Sequence, residues 1–134
     1  MIRTFVDSGV LIAAARGTDA IAIRALEILD EPNRWLISSD FVRLEVIPKA
    51  IYEERQAEVE FYDEFFERVR THVHSSRTLV EEAQSEACVA GLSAVDALHV
   101  AAAKRATSAE LVTTERNTKP LFRATGILVR SIQP

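Results

Sequence analysis

Short apolar runs alternate with amphipathic stretches from one end of the chain to the other. Ile2-Arg3-Thr4-Phe5-Val6 is rich in β-branched and aromatic residues and ends at Asp7-Ser8-Gly9, which predicts a short buried strand. Val10 to Ala15 then reads as a helix, broken at Gly17-Thr18-Asp19. Thr18 or Asp19 offers an N-cap to a second helix, in which Ile21, Ala25, Ile28 and Leu29 recur at helical spacing. Glu31-Pro32-Asn33 ends it, and Trp35-Leu36-Ile37-Ser38 predicts a second strand. Ser39 or Asp40 caps a helix that carries Glu45. Pro48 predicts a kink or short break there, because proline lacks the N–H and crowds the preceding turn.

Over residues 53–70, Phe61, Tyr62, Phe65, Phe66 and Val69 mark one face of an amphipathic helix. Thr71-His72-Val73-His74 predicts a short strand. Residues 78–91 form a further helix with Gly91 as C-cap, and Ser93 opens the helix that carries Asp96. Residues 110–113 and 127–132 predict the last two strands. Strands that alternate with helices in this way predict an α/β domain, with a mainly parallel sheet covered on both faces. In such folds ligands bind beyond the carboxyl ends of the strands, where the strand order reverses.

Composition narrows this picture. A chain of 134 residues fits one domain, residues 1–134, and only four Gly and four Pro exclude a turn-rich or disordered chain. A net charge of −4 excludes a basic footprint over the whole chain, though not a local basic patch. The lone Cys88 has no internal disulfide partner, which suits a reducing compartment, and its setting reads as a buried small apolar position. No apolar run reaches the roughly 20 residues of a membrane helix. The N-terminal run is too short for a signal peptide, so the chain is read as cytoplasmic.

Four acids stand at the edges of apolar segments: Asp7, Glu45, Asp96 and Glu115. Three have a plain alternative, and Glu45 is harder to explain that way. Asp7 can cap the helix after it, and Asp96 sits at the acidic position of a capping box opened by Ser93. Glu115 can pair with Arg116 or Lys119. Glu45 lies among Phe41, Val42, Leu44, Val46 and Ile47, where an ionised carboxylate is costly without a partner or metal. Brought together, the four would carry about four negative charges, and hard oxygen ligands suit Mg²⁺ or Mn²⁺.

The stretches Phe5-Val6-Asp7-Ser8-Gly9-Val10-Leu11-Ile12, Ser38 to Val46, Leu92 to Ala103 and Leu111-Val112-Thr113-Thr114-Glu115 resemble, in order and spacing, those of PIN-domain proteins. That family includes the ribonuclease toxins of bacterial toxin–antitoxin pairs. The resemblance implies a three-layer α/β/α sandwich with a parallel sheet. It implies Mg²⁺- or Mn²⁺-dependent hydrolysis of single-stranded RNA, a homodimer and an antitoxin partner. Asp7, Glu45 and Asp96 match the family's three main acids, and Glu115 falls where a fourth, usually Asp, is found. Ser8 falls where the family often carries Thr or Ser near the metal, and Thr113 matches the threonine that precedes the fourth acid. Gly9 stands where the family often has Asn, and Glu115 is one methylene longer than Asp. These two departures give the alternative of a catalytically weakened PIN-like RNA-binding or scaffold protein.

Backbone phosphates would need cations near the acids, and Arg43, Lys49, Arg116, Lys119 and Arg123 are the candidates. His99 lies one helical turn after Asp96 and reads either as a proton donor or as an ordinary helix residue. His72 and His74 share a strand face but show no third ligand in sequence, so structural or surface roles are expected. The Phe61–Phe66 aromatic stripe reads as core or as a docking face. A phosphotransferase with Asp7 as nucleophile is disfavoured by Gly9, which stands where such enzymes place a second Asp, and no phosphate-cradling Gly-rich loop is present.

Overall fold

Five strands and six helices alternate along the computed structural model, which describes residues 1–134. The order is β1 (Ile2–Val6), α1 (Ser8–Arg16), α2 (Ala20–Asp30), β2 (Arg34–Ser39), α3 (Asp40–Tyr52), α4 (Gln56–Arg68), β3 (Thr71–Val73), α5 (Arg77–Ala90), α6 (Ala94–Arg105), β4 (Glu110–Thr113) and β5 (Leu128–Ser131). A 3-10 turn, Pro120–Arg123, joins the last two strands.

All strand pairs are parallel, in the spatial order β3-β2-β1-β4-β5. The chain first builds outward from β1 to β2 and β3, then crosses back to place β4 on the other side of β1. The order therefore reverses between β1 and β4. Right-handed crossovers put the helices of the two halves on opposite faces of the sheet. Accordingly, α1 to α4 pack on one another and α5 packs on α6. This is the expected α/β/α arrangement.

One cluster of 29 buried residues forms the core, with Phe5, Val6, Ile37, Leu111 and Val112 of the sheet at its centre. In α6, Ala97, Val100, Ala101, Ala102 and Ala103 are all buried, and their small side chains let the helix lie close to the strands. At the amino end of the sheet, Glu110 is 2% exposed and joined to Arg34, to Arg130 at 3.1 Å and to Thr4 Oγ1 at 3.1 Å. On the α1–α4 side, Glu58 accepts from Arg16 Nε at 2.9 Å and from the buried Tyr62 hydroxyl at 2.7 Å. Both networks hold buried carboxylates by charge-assisted bonds far from the acids singled out above.

The predicted caps form. Asp19 accepts from Ala22 N, Ser39 from Val42 N, and Ser93 from Asp96 N. Gly91 closes α5 in the left-handed region, φ 65°, which glycine adopts without a Cβ penalty.

Two expectations need correction, and one alternative is decided. The helix does not break at Pro48 but runs on to Tyr52. Pro48 and Leu44 are both exposed, so water can serve the Leu44 carbonyl that proline leaves without a donor. Cys88 is exposed, because the core face of α5 is carried by Leu79 and Ala83. The aromatic stripe of α4 is core: Tyr62 and Phe65 are buried, and Phe61 and Phe66 pack against them. No single helix is long and apolar enough to cross a membrane.

Candidate metal centre at the strand switch

The reversal point between β1 and β4 is occupied by Asp7. Its backbone N–H donates to Val112 O at 3.0 Å, so the β1–β4 ladder runs up to it. As N-cap of α1 it accepts the Ser8 N–H on Oδ1 at 2.9 Å. Its other oxygen accepts from Thr113 Oγ1 at 2.8 Å, at the end of β4. The Thr113 hydroxyl also accepts the N–H of Glu115, at 3.1 Å. One buried threonine therefore fixes Asp7 and starts the turn that carries Glu115. The capping role of Asp7 and its place at the site coexist.

Glu45 reaches the same point from α3. Its Oε1 accepts from Ser8 Oγ at 2.9 Å and from His99 Nε2 at 2.6 Å. Its side chain is 38% exposed and neighbouring Leu44 faces solvent, so Glu45 lies at the rim of the core and not inside it. Burial pushes the Glu45 carboxyl up. The bond and charge of His99 and the bond from Ser8 outweigh that, and hold it below the usual carboxylate range.

His99 is 2% exposed and lies one turn along α6 from Asp96. Its Nε2 is 3.7 Å from Asp7 Oδ1, and its ring packs at a tilt on Phe5. Burial disfavours its charged form, but the Glu45 bond and the charges of Asp7, Glu45 and Asp96 win and raise its pKa. The Nδ1 of the same ring is buried and has no hydrogen-bond partner. Ligand atoms of Asp7, Glu45 and His99 lie within 4.8 Å of one another.

Asp96 has the opposite balance. Burial and the charges of Asp7 and Glu115 raise its carboxyl above the usual range, against the opposing charge of His99 and a bond from Ser93. The four acids thus share one electrostatic site. Glu115 is exposed at its edge, with its backbone carbonyl held by Ser131 Oγ at 2.6 Å. The donor set suits a hard divalent cation: carboxylate oxygens in excess of local positive charge, with one acid left ionising reluctantly.

The predicted cations divide. Arg123 donates to Ala90 O and Gly91 O, both at 2.7 Å, and so caps the end of α5. Arg43 stacks 5.1 Å over Phe66, and Lys49 lies 4.0 Å from Glu53. Arg116 and Lys119 make no ion pair, and Arg116 lines a polar groove with Asn117, Thr118, Ser131 and Gln133 next to Glu115. Gly9 is set by close approach, since a Cβ there would meet Thr114 Oγ1 at 2.4 Å. The family's usual Asn would require Thr114 to turn away.

His99 is the residue that sequence spacing undervalued. Its position on the Asp96 face was visible, but its partner Glu45 lies 54 residues away on another helix.

A PIN-domain family model matches residues 4–125. No curated protein sequence matches the chain. Among solved structures, a toxin–antitoxin complex from Klebsiella pneumoniae aligns with TM-score 0.74 and 21% identity, over 97% of this chain and 98% of that one. VapBC2 from Rickettsia felis, bound to a promoter DNA fragment, aligns with TM-score 0.74 and 15% identity over the same shares. Mycobacterium tuberculosis VapC20, described as a sarcin-ricin loop cleaving toxin, aligns with TM-score 0.66 and 19% identity, over 81% of this chain and 86% of that one. The chain belongs to the PIN-domain family.

Proposed function

We propose that this chain is a Mg²⁺- or Mn²⁺-dependent endoribonuclease that hydrolyses single-stranded RNA in the cytoplasm, as the toxin of a toxin–antitoxin pair. The observation that carries the proposal is that ligand atoms of Asp7, Glu45 and His99 gather within 4.8 Å of one another at the β1/β4 reversal, with Asp96 raised by burial and by the charges of Asp7 and Glu115. Family membership and the toxin–antitoxin structures among its neighbours support the same reading.

Asp7, Glu45 and Asp96 would hold the ion, directly or through water, and Glu115 would complete the set. Such an ion, when bound, polarises a phosphate oxygen and makes a bound water more acidic. Thr113 and the Ser8 N–H fix the Asp7 carboxylate, and Ser8 Oγ and His99 fix Glu45. Preorganised carboxylates of this kind need no rearrangement when substrate arrives. Arg116 and Lys119 meet backbone phosphates without reading sequence, with Arg43 and Lys49 further out on α3. Exposed Leu44, Ile51 and Tyr52 on α3, and Val89 on α5, offer apolar surface for an antitoxin or a second copy.

The test is cleavage of a fluorophore-labelled single-stranded RNA with Mg²⁺ or Mn²⁺, comparing the parent chain with Asp96→Asn. Metal-dependent cleavage that disappears in the variant, with an unchanged circular dichroism spectrum, is expected; full activity in Asp96→Asn refutes the proposal. Gly9 and the longer Glu115 favour one second reading, a PIN-like RNA-binding scaffold. Calorimetry with Mn²⁺ separates the two, because a scaffold binds no metal at millimolar concentration.

A further inference from the structure

The short edge strand β3 assembles a second donor set that the acids do not explain. His72 lies in β3, His74 just after it, and Asp40 is the first residue of α3, following the neighbouring strand β2. His72 Nε2 is 2.7 Å from Asp40 Oδ1, and His74 Nδ1 is 3.4 Å from the same oxygen. Ligand atoms of the three residues lie within 4.8 Å of one another. The other Asp40 oxygen accepts the Ser75 N–H at 2.7 Å, which fixes the carboxylate's orientation.

A single hydrogen bond accounts for His72 and Asp40. It does not account for His74, whose side chain is 79% exposed and has water on most sides, yet turns Nδ1 toward the oxygen that His72 already meets. The two imidazole rings are 4.9 Å apart, and Phe66 packs edge-on against His72 at 6.1 Å to restrict its ring. A tetrahedral zinc ion with bonds of about 2.0–2.1 Å separates its ligands by roughly 3.3 Å. The separations of 2.7 and 3.4 Å bracket that spacing. The open side provides an entry path and a position for water.

We propose that Asp40, His72 and His74 form a binding site for a zinc-type divalent transition-metal ion, distinct from the acidic centre. Two imidazoles and one carboxylate favour Zn²⁺, Co²⁺, Ni²⁺ or Cu²⁺, whereas Mg²⁺ prefers all-oxygen donors. The ion ties β3 and the turn through Ser75 to the head of α3. That helix carries Glu45 five residues on, about 7.5 Å along its axis. The site does not depend on the ribonuclease assignment.

The experiment is calorimetric titration of the metal-free full chain with Zn²⁺, repeated on Asp7→Asn/Asp96→Asn to silence the acidic centre and on His74→Ala. Imidazole NMR signals of the parent chain are followed through the same titration. One Zn²⁺ per chain should bind with the acidic centre silenced, shift the His72 and His74 resonances, and raise Tm. His74→Ala, an exposed substitution, should weaken that event at least ~10-fold and remove the Tm shift. Zinc binding lost in the double Asn variant but kept in His74→Ala overturns the proposal. Unmoved His72 and His74 resonances at saturation overturn it equally.

Discussion

Replacing Thr113 by Val tests how the acidic centre is held. The substitution keeps the side-chain shape, so it opens no cavity at a fully buried position. What it removes is one hydroxyl, which donates to Asp7 Oδ2 at 2.8 Å and accepts from Glu115 N at 3.1 Å. A hydrogen bond to a charged group contributes about 1.5–3 kcal/mol. The Glu115 N–H belongs to an exposed residue and can turn to water, so it adds little. The expected cost is therefore ~2–3 kcal/mol. With about 2.1 cal/mol/K of unfolding entropy per residue, 134 residues give about 0.28 kcal/mol/K, and Tm should fall by roughly 7–11 °C. Asp7 would keep the Ser8 N–H at 2.9 Å and the longer Ser8 hydroxyl contact at 3.5 Å, both on Oδ1, and Mn²⁺ affinity should drop ~10–100-fold. Thr113→Ser restores the hydroxyl and should recover the affinity while losing a methyl group. Urea unfolding of metal-free protein and Mn²⁺ calorimetry supply both readouts. A Thr113→Val protein within about 0.5 kcal/mol of the parent, and within twofold in affinity, refutes the positioning role.

Asp96→Asn should raise the Tm of metal-free protein at neutral pH. Burial and the Asp7 and Glu115 charges hold the folded-state pKa of Asp96 above 3.8, so its contribution is most favourable below that value and is lost as pH rises through the folded pKa. The advantage of Asn should therefore shrink as the pH is lowered toward 4 in thermal melts with chelator, and an advantage independent of pH contradicts the electrostatic cause. Glu58→Gln should cost about 1.5–3 kcal/mol at pH 7, because Arg16 and Tyr62 both lose a charged acceptor. Burial raises the Glu58 carboxyl, but the Arg16 and Tyr62 bonds and the Arg16 and Arg55 charges outweigh it and hold it below 4.5. Its stabilisation is present above 4.5 and lost as pH falls through the folded value, so the two proteins should converge in acid denaturation; a constant gap down to pH 2 refutes this.

The fold was legible because its local signals agree with one another. Strands β1 to β4 each end at a polar break, every helix N-cap but that of α4 is a short polar side chain, and the β–α alternation leaves few topologies open. The short break expected at Pro48 does not form, because proline's cost depends on whether the deserted carbonyl can reach water, and burial is not written in the local sequence. Cys88 was misread for a related reason: composition makes it apolar, while the phase of α5 turns it outward. At the site, Asp7 and Glu115 were visible from strand ends alone. Glu45 was singled out as a carboxylate among apolar residues, yet what holds it is Ser8 and His99, which local pattern does not reveal. The Asp40–His72–His74 set was hidden in the same way, since 32 residues separate Asp40 from His72 and only the β2–β3 pairing brings them together.

The three central acids are not supported equally, and the inequality says where a cation matters most. Asp7 has donors on both oxygens, from Ser8 N and Thr113 Oγ1. Glu45 has the Ser8 hydroxyl and the His99 imidazole on one oxygen. Both are prepared as carboxylates by neighbours that belong to the fold. Asp96 has weaker support, a bond from Ser93 and the charge of His99, and these do not overcome burial and the repulsion of Asp7 and Glu115. A divalent ion placed among the three would lower the cost of the ionised form of Asp96, which burial and the neighbouring charges raise, whereas the Glu45 carboxylate is already favoured by His99 and Ser8. Neutralising Asp96 relieves the repulsion among the acids in metal-free protein, but it also removes the group whose ionised form the fold itself supports least. That is why one substitution, Asp96→Asn, should stabilise the metal-free fold and abolish metal-dependent cleavage together.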